Sequence, residues 1–354
     1  MTTTGVLTGT WVAAASMSTA RSGHSGTLLP GGRVLVAGGD TGGQATTSAE
    51  LYDPLTDAWL PTGGLSAARA HHTAIGLPGG GVLVLGGYAQ NGYVRDIERY
   101  DPAAGTWSSA GTITVPREDP TAVLLDTGPV LVSGGYDRTA DTDLATCELL
   151  DPAAGTWTPA AHMVSPRYHH PATLLADGRV LVAGGVNVVN QGGIPLAEVY
   201  DPATDTWSAA CPMRQVRQTD DIGRPPLLLL PSGDVLTVGG YNTVDGVLST
   251  GERRDTGTGT WSAISPMTAG REGLHTATLL TTGTVLVVGG LDDNGPVPGA
   301  EVYDPTTDTW SATPAPGTAR ARHVAVRLLD GRVLVTGGLD GAGGDLATAE
   351  LFVP

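Results

Sequence analysis

RVLVAGG, Arg33 to Gly39, is the stretch on which the reading of this chain turns. Four apolar residues, two of them β-branched, make a short strand that can be buried on both faces, and the glycine pair ends it. The same pattern returns as GVLVLGG (Gly81 to Gly87), PVLVSGG (Pro129 to Gly135), RVLVAGG (Arg179 to Gly185), DVLTVGG (Asp234 to Gly240), TVLVVGG (Thr284 to Gly290) and RVLVTGG (Arg332 to Gly338). Successive copies are 48, 48, 50, 55, 50 and 48 residues apart. A period near 50 marks a repeat architecture, so the 354 residues need not be divided into several ordinary domains.

Outward from each glycine pair lies a polar loop, then a strand that closes in a turn and a tryptophan. The six examples are AELYDPLTDAW, IERYDPAAGTW, CELLDPAAGTW, AEVYDPATDTW, GERRDTGTGTW and AEVYDPTTDTW, and together with Trp11 they account for all seven tryptophans. In most copies the aspartate can accept a turn amide while proline presets φ, and the tryptophan supplies a broad apolar plate for the neighbouring repeat. Each repeat therefore reads as four short strands. The 52 glycines and 25 prolines leave little room for helices, so the chain is expected to be all-β.

These motifs together resemble the kelch repeat over essentially the whole length. The resemblance implies a seven-bladed β-propeller of four-stranded antiparallel blades, occupying residues 1–354 as one domain. Trp11 lacks preceding strands, and AELFVP (Ala349 to Pro354) stops before a tryptophan strand. The N-terminal strand is therefore expected to complete the last blade and close the ring.

Charge limits the partners. A formal net charge of −16, from 35 acidic and 19 basic residues, repels a phosphate backbone, so no nucleic-acid role is expected. No apolar run reaches membrane-spanning length, and Met1 to Thr10 carries no export leader, which predicts a cytoplasmic protein acting as a monomer without membrane association. Cys147 and Cys211 make neither a disulfide framework nor a zinc signature.

Function is sought where one blade departs from its siblings. Ten residues before the first valine of each glycine-pair strand stand His24, His72, Pro120, His170, Pro225, His275 and His323, a recurrence that points to structure. An arginine three residues earlier (Arg21, Arg69, Arg117, Arg167 and Arg320) is expected to bridge blades through ions or carbonyls. Between the two lie Ser22-Gly23, Ala70-His71, Glu118-Asp119, Tyr168-His169, Gly223-Arg224, Gly273-Leu274 and Ala321-Arg322. In kelch proteins that bind ligands at the channel mouth, residues here and just after the glycine pair line the pocket. By that resemblance His71, Asp119 and His169 share one equivalent point, with Glu118 and Tyr168 beside them. Tyr88, Tyr136 and Tyr241 follow their glycine pairs on the same face. Arg217 to Arg224 is read as an insertion that folds Asp220 and Asp221 over the mouth.

Two chemistries suit this set. His71, Asp119 and His169 could ligate a divalent metal as two histidines and a carboxylate. Without metal, His71 or His169 could exchange a proton, Asp119 or Glu118 orient the imidazole, Tyr168 donate to an oxyanion, and Arg224 with Arg322 hold a carboxylate or enolate. Either suits an isomerase, cyclase or lyase acting on a small anionic or oxygen-rich molecule; the alternative is a non-catalytic ligand- or protein-binding module. No nucleotide or flavin cofactor is expected, since no phosphate-binding glycine loop occurs, and serine-hydrolase and zincin motifs are missing. The kelch resemblance also includes copper oxidases, but neither cysteine falls at the expected mouth. The iron pattern of plant specifier proteins and the BTB or F-box companion of adaptors are not legible either.

Overall fold

Each VLVA-type segment is buried along its entire length, because it lies second from the axis with a strand on either side and another blade against both faces. The computed structural model describes residues 8–90, 92–115, 117–187, 192–218 and 224–354. In the first blade the order from the axis outward is Ser25–Leu28, Val34–Ala37, Ala49–Asp53 and Ala58–Pro61, all antiparallel. Seven such four-stranded sheets are arranged in a ring, and the described residues contain no helix. The last sheet is composite. Thr10–Ala14 pairs with Ala349–Val353, with Trp11 opposite Phe352 and their rings 5.2 Å apart. The N-terminal strand thus closes the ring as the repeat phase required.

The turn chemistry follows the residue types. Asp53 Oδ1 accepts the Leu55 amide, and Asp57 ends the turn at φ 49° while accepting the Tyr52 hydroxyl at 2.9 Å. Asp205 and Asp308 repeat this left-handed position. Gly105, Gly155 and Gly259 stand there in the other repeats, as expected where φ must be positive.

Blades are joined in three ways. Seven apolar clusters sit one at each blade interface, and a tryptophan from the later blade packs against nearly all of them. The indole N–H then reaches back to the preceding crossover, as in Trp59 to the Ala15 carbonyl at 2.7 Å. Finally, a buried arginine fastens each crossover to its blade: Arg21 bonds the Gly38 and Ser48 carbonyls and Glu50. The same arginine–glutamate pairing occurs at Arg69–Glu98, Arg117–Glu148, Arg167–Glu198, Arg217–Glu252, Arg271–Glu301 and Arg320–Glu350.

Arg217 and Arg271 correct the sequence alignment, which assigned this arginine to five repeats. They stand eight and four residues before the histidine line (217 to 225, 271 to 275) instead of three. Arg217 is therefore framework. Gln218 is framework too, because its amide bonds the Tyr241 carbonyl as Ala70 bonds Tyr88. The insertion begins after it, and Asp220 and Asp221 lie outside the described residues.

The histidine line is structural, and its contacts explain the glycine pair. A Cβ on Gly38 would come within 2.8 Å of the His72 ring and 2.5 Å of the Arg69 carbonyl, both in the next blade. Burial pushes His72 and His275 down to about 3, and His24, His170 and His323 well below the ordinary histidine range. These rings are neutral wedges between blades. Among the described residues, no helix is long and apolar enough to cross a membrane.

Candidate functional site

The positions between arginine and histidine form a ring around the channel mouth. Gly23, His71, Asp119, His169, Leu274 and Arg322 all adopt left-handed backbone, with φ between 46° and 59°. The preceding residue in each of blades 1 to 4 and 7 bridges to the one after the glycine pair: Ser22 to Asp40, Ala70 to Tyr88, Glu118 to Tyr136, Tyr168 to Val186 and Ala321 to Leu339. Two separate sequence positions are thereby placed side by side. Neighbouring blades are tied through the ring itself, since the amides of Arg322, Gly23 and His71 donate to the carbonyls of Leu274, Arg322 and Gly23. Left-handed backbone costs a β-branched or bulky residue on the order of 1 kcal/mol or more, so the polar side chains held here at four of the six points, His71, Asp119, His169 and Arg322, make a constructed rim.

Inside the ring is a cavity of about 240 Å³. His71, Asp119, Arg224 and Arg322 line it together with His24, His72, His275 and His323 of the histidine line. These last four histidines were expected from their recurrence to be structural only; they are wall as well as wedge. Nothing in a recurrent lattice position signals that second role, because it depends on the radius at which the blades close.

Asp119 is the most confined charge of the site. Its Oδ2 lies 2.7 Å from His169 Nε2, and its Oδ1 lies 3.6 Å from the Arg224 guanidinium. Burial opposes ionisation of Asp119, but His169, Arg224 and the more distant His71 outweigh it and hold the carboxyl below its usual range. Arg224 is oriented by the Pro120 carbonyl at 3.0 Å and the Thr121 hydroxyl at 3.2 Å, both from blade 3. On the other side of His71, its Nε2 faces Asp40 at 3.6 Å, and its ring stacks on Tyr88 at 5.3 Å and 9°. Tyr88 donates its hydroxyl to Asp40 at 3.0 Å. Asp40 is likewise held below the ordinary carboxylate range: burial works against this, and His71, Tyr88 and the charge of Arg322 prevail.

The predicted residues therefore separate. His71, Asp119, Arg224 and Arg322 meet at the cavity. His169 and Tyr88 stand behind Asp119 and His71 as their supports. Tyr168 leans on His169 with ring centroids 4.5 Å apart and on Tyr136 at 5.6 Å, one layer further out. Glu118 does not orient a histidine: it takes the Tyr93 hydroxyl and the Arg138 guanidinium on the outer rim. Tyr136 bonds Asp141, and Tyr241 lies beside Gln218 rather than in the cavity wall. Among the described residues, no three His, Cys, Asp or Glu side chains come together to hold a metal. The His71, Asp119 and His169 triad fails as a ligand set because His71 turns to Asp40, while Arg224 closes on the free side of Asp119. Asp40, absent from the predicted set, is the residue that sequence reasoning missed; its only signal was its place after the first glycine pair.

A family model described as the Kelch motif matches residues 21–65, 69–113, 167–214 and 275–317. No curated protein matches the chain. Among the solved structures, a fungal alcohol oxidase of the AA5 family in complex with copper aligns with a TM-score of 0.74 and 18% identity, over 98% of this chain and 76% of its own. At that identity the likeness concerns the fold alone. Neither cysteine reaches the cavity of this chain. Cys147 is buried in a blade-3 strand, where burial pushes its thiol up to about 12, and Cys211 is exposed on a crossover.

Proposed function

This chain belongs to the kelch-motif family, and on that premise we propose that its channel mouth is an acid/base site for a small, oxygen-rich anion. The observation that carries the reading is the convergence of His71, Asp119, Arg224 and Arg322 on one cavity of about 240 Å³. That volume suits a small metabolite. His71 takes or returns a substrate proton, Asp119 accepts a substrate hydroxyl, and the two guanidinia neutralise a carboxylate or the enolate formed when a carbon-bound proton leaves. Proton transfer of this kind serves isomerisation, cyclisation or elimination. A binding-only reading draws on one specific contact, the engagement of both Asp119 oxygens by His169 and Arg224.

The two readings part in deuterium oxide. Small hydroxy- and keto-carboxylates are incubated with the protein and carbon-bound hydrogen exchange is followed by proton NMR. We expect exchange with the wild type and its loss in His71→Asn, chosen because asparagine tolerates the left-handed backbone at φ 54°. Ligand-induced stabilisation without any exchange would leave a binding module and overturn the catalytic reading.

A further inference from the structure

We infer that Asp40, Tyr88 and Gly23 assemble His71 into the proton-transfer group of this site, with Asp40 as its positioning residue. The inference rests on the acid/base reading of the cavity and deepens it by dividing the mouth into two halves. In blade 3 and beyond, Asp119 is flanked by His169 and Arg224, which stabilise its ionised form and make it a poor base. In blades 1 and 2 the order is reversed: a carboxylate stands behind an imidazole, and the imidazole faces the cavity.

Three residues place that imidazole. Asp40 Oδ2 stands 3.6 Å from Nε2, too far for a hydrogen bond, and its charge favours the tautomer carrying its proton on Nε2, which leaves Nδ1 as the basic nitrogen. Tyr88 packs flat against the ring and donates its hydroxyl to the same Asp40 oxygen that faces His71, so stacking and charge come from one bonded unit. Gly23 supplies the space. A Cβ there would sit 2.5 Å from His71 Nε2 and 2.7 Å from Cε1, which accounts for glycine at a ring position that elsewhere carries a side chain. The charged groups around the unit are Arg322 beside Asp40 and Asp119 across the cavity. The step is balanced within the site: a substrate C–H or O–H proton passes to Nδ1, Nε2 keeps its proton toward Asp40, and the electron pair stays on the substrate as an enolate or alkoxide near the guanidinia.

The tautomer can be read without knowing the substrate. Two-bond proton–nitrogen spectra of histidine-labelled protein should show His71 as the Nε2–H form in the wild type and in Tyr88→Phe, which keeps the ring stack. Asp40→Ala should give a mixture or the Nδ1–H form, with the melting temperature checked to confirm folding. If the wild type catalyses exchange, Asp40→Ala should lower its rate on the order of 10- to 100-fold with KM little changed. Gly23→Ala, which displaces the ring while leaving Asp40 in place, should also lose the rate. A His71 that keeps the pure Nε2–H form in Asp40→Ala overturns the assignment of Asp40. Absence of exchange in the wild type overturns only the acid/base reading, since the tautomer measurement decides the role of Asp40 without it.

Discussion

At the scale of single residues, the site is governed by which carboxylates remain charged. The folded-state pKa of Asp119 lies below its ordinary value, so Asp119 contributes stability that is fully present above about pH 4 and is lost as pH falls through the depressed value. Asp119→Asn should therefore melt at a lower temperature than the wild type at pH 7, and the gap should close in steps taken from pH 5 to pH 2.5. Taking the difference between the two proteins isolates this group, because the buried neutral histidines make both of them acid-sensitive below about pH 6.5. A gap that stays constant with pH would show that the His169 and Arg224 contacts do not depend on the charge of Asp119. His71, Asp119, Arg224 and Arg322 were all legible as candidates, because each breaks the repeat at one lattice point. Asp40 was not, since an aspartate in a polar loop is ordinary in so acidic a chain.

At the scale of elements, the unit is the crossover clamped to its blade. Arg167 shows the logic: its guanidinium bonds the Gly184 and Leu196 carbonyls and Glu198, which in turn accepts the amides of Val164 and Ser165. Arg167 is fully buried and Glu198 nearly so, and burying an ion pair is itself costly. Removing one member is worse, because the other charge stays in the interior. Arg167→Leu should destabilise the protein by about 3–5 kcal/mol in urea unfolding. A loss under about 1 kcal/mol would place this pair among the weak surface bridges. The repeat motif disclosed five of the seven arginines. Arg217 and Arg271 escaped because loop residues can be inserted between clamp and wedge without moving either, a freedom that a fixed sequence spacing does not capture.

At the scale of the whole molecule, stability depends on closing a ring. Each blade buries its faces only against its neighbours, so an open propeller exposes two of them. The closing element is Thr10–Ala14, whose Trp11 packs with Phe352 in the last interface. Deleting residues 1–14 should strip the outer edge from the last blade, sharply lower the melting temperature, and abolish amide-exchange protection in Ala349–Val353 first. An unchanged melt would mean that the pairing does not hold the ring together.

The scales differ in how much a linear chain can disclose. Blade number, strand order and the closing strand could all be read from the repeat, because period and phase are one-dimensional properties and apolar runs between glycine pairs admit a single way of stacking. The positions that face the channel were implied by the kelch resemblance, and the repeat lattice located them along the chain. What the rim does there could not be read. Whether His71 turns to Asp40 or joins Asp119, whether Glu118 reaches inward or binds Arg138, and whether recurrent histidines also wall a cavity are settled by ring radius and side-chain direction. The first and last arise only when blades meet, because His71 and Asp40, like the histidines around the cavity, come from different repeats, while the pairing of Glu118 with Arg138 within blade 3 is decided by the direction its side chain takes.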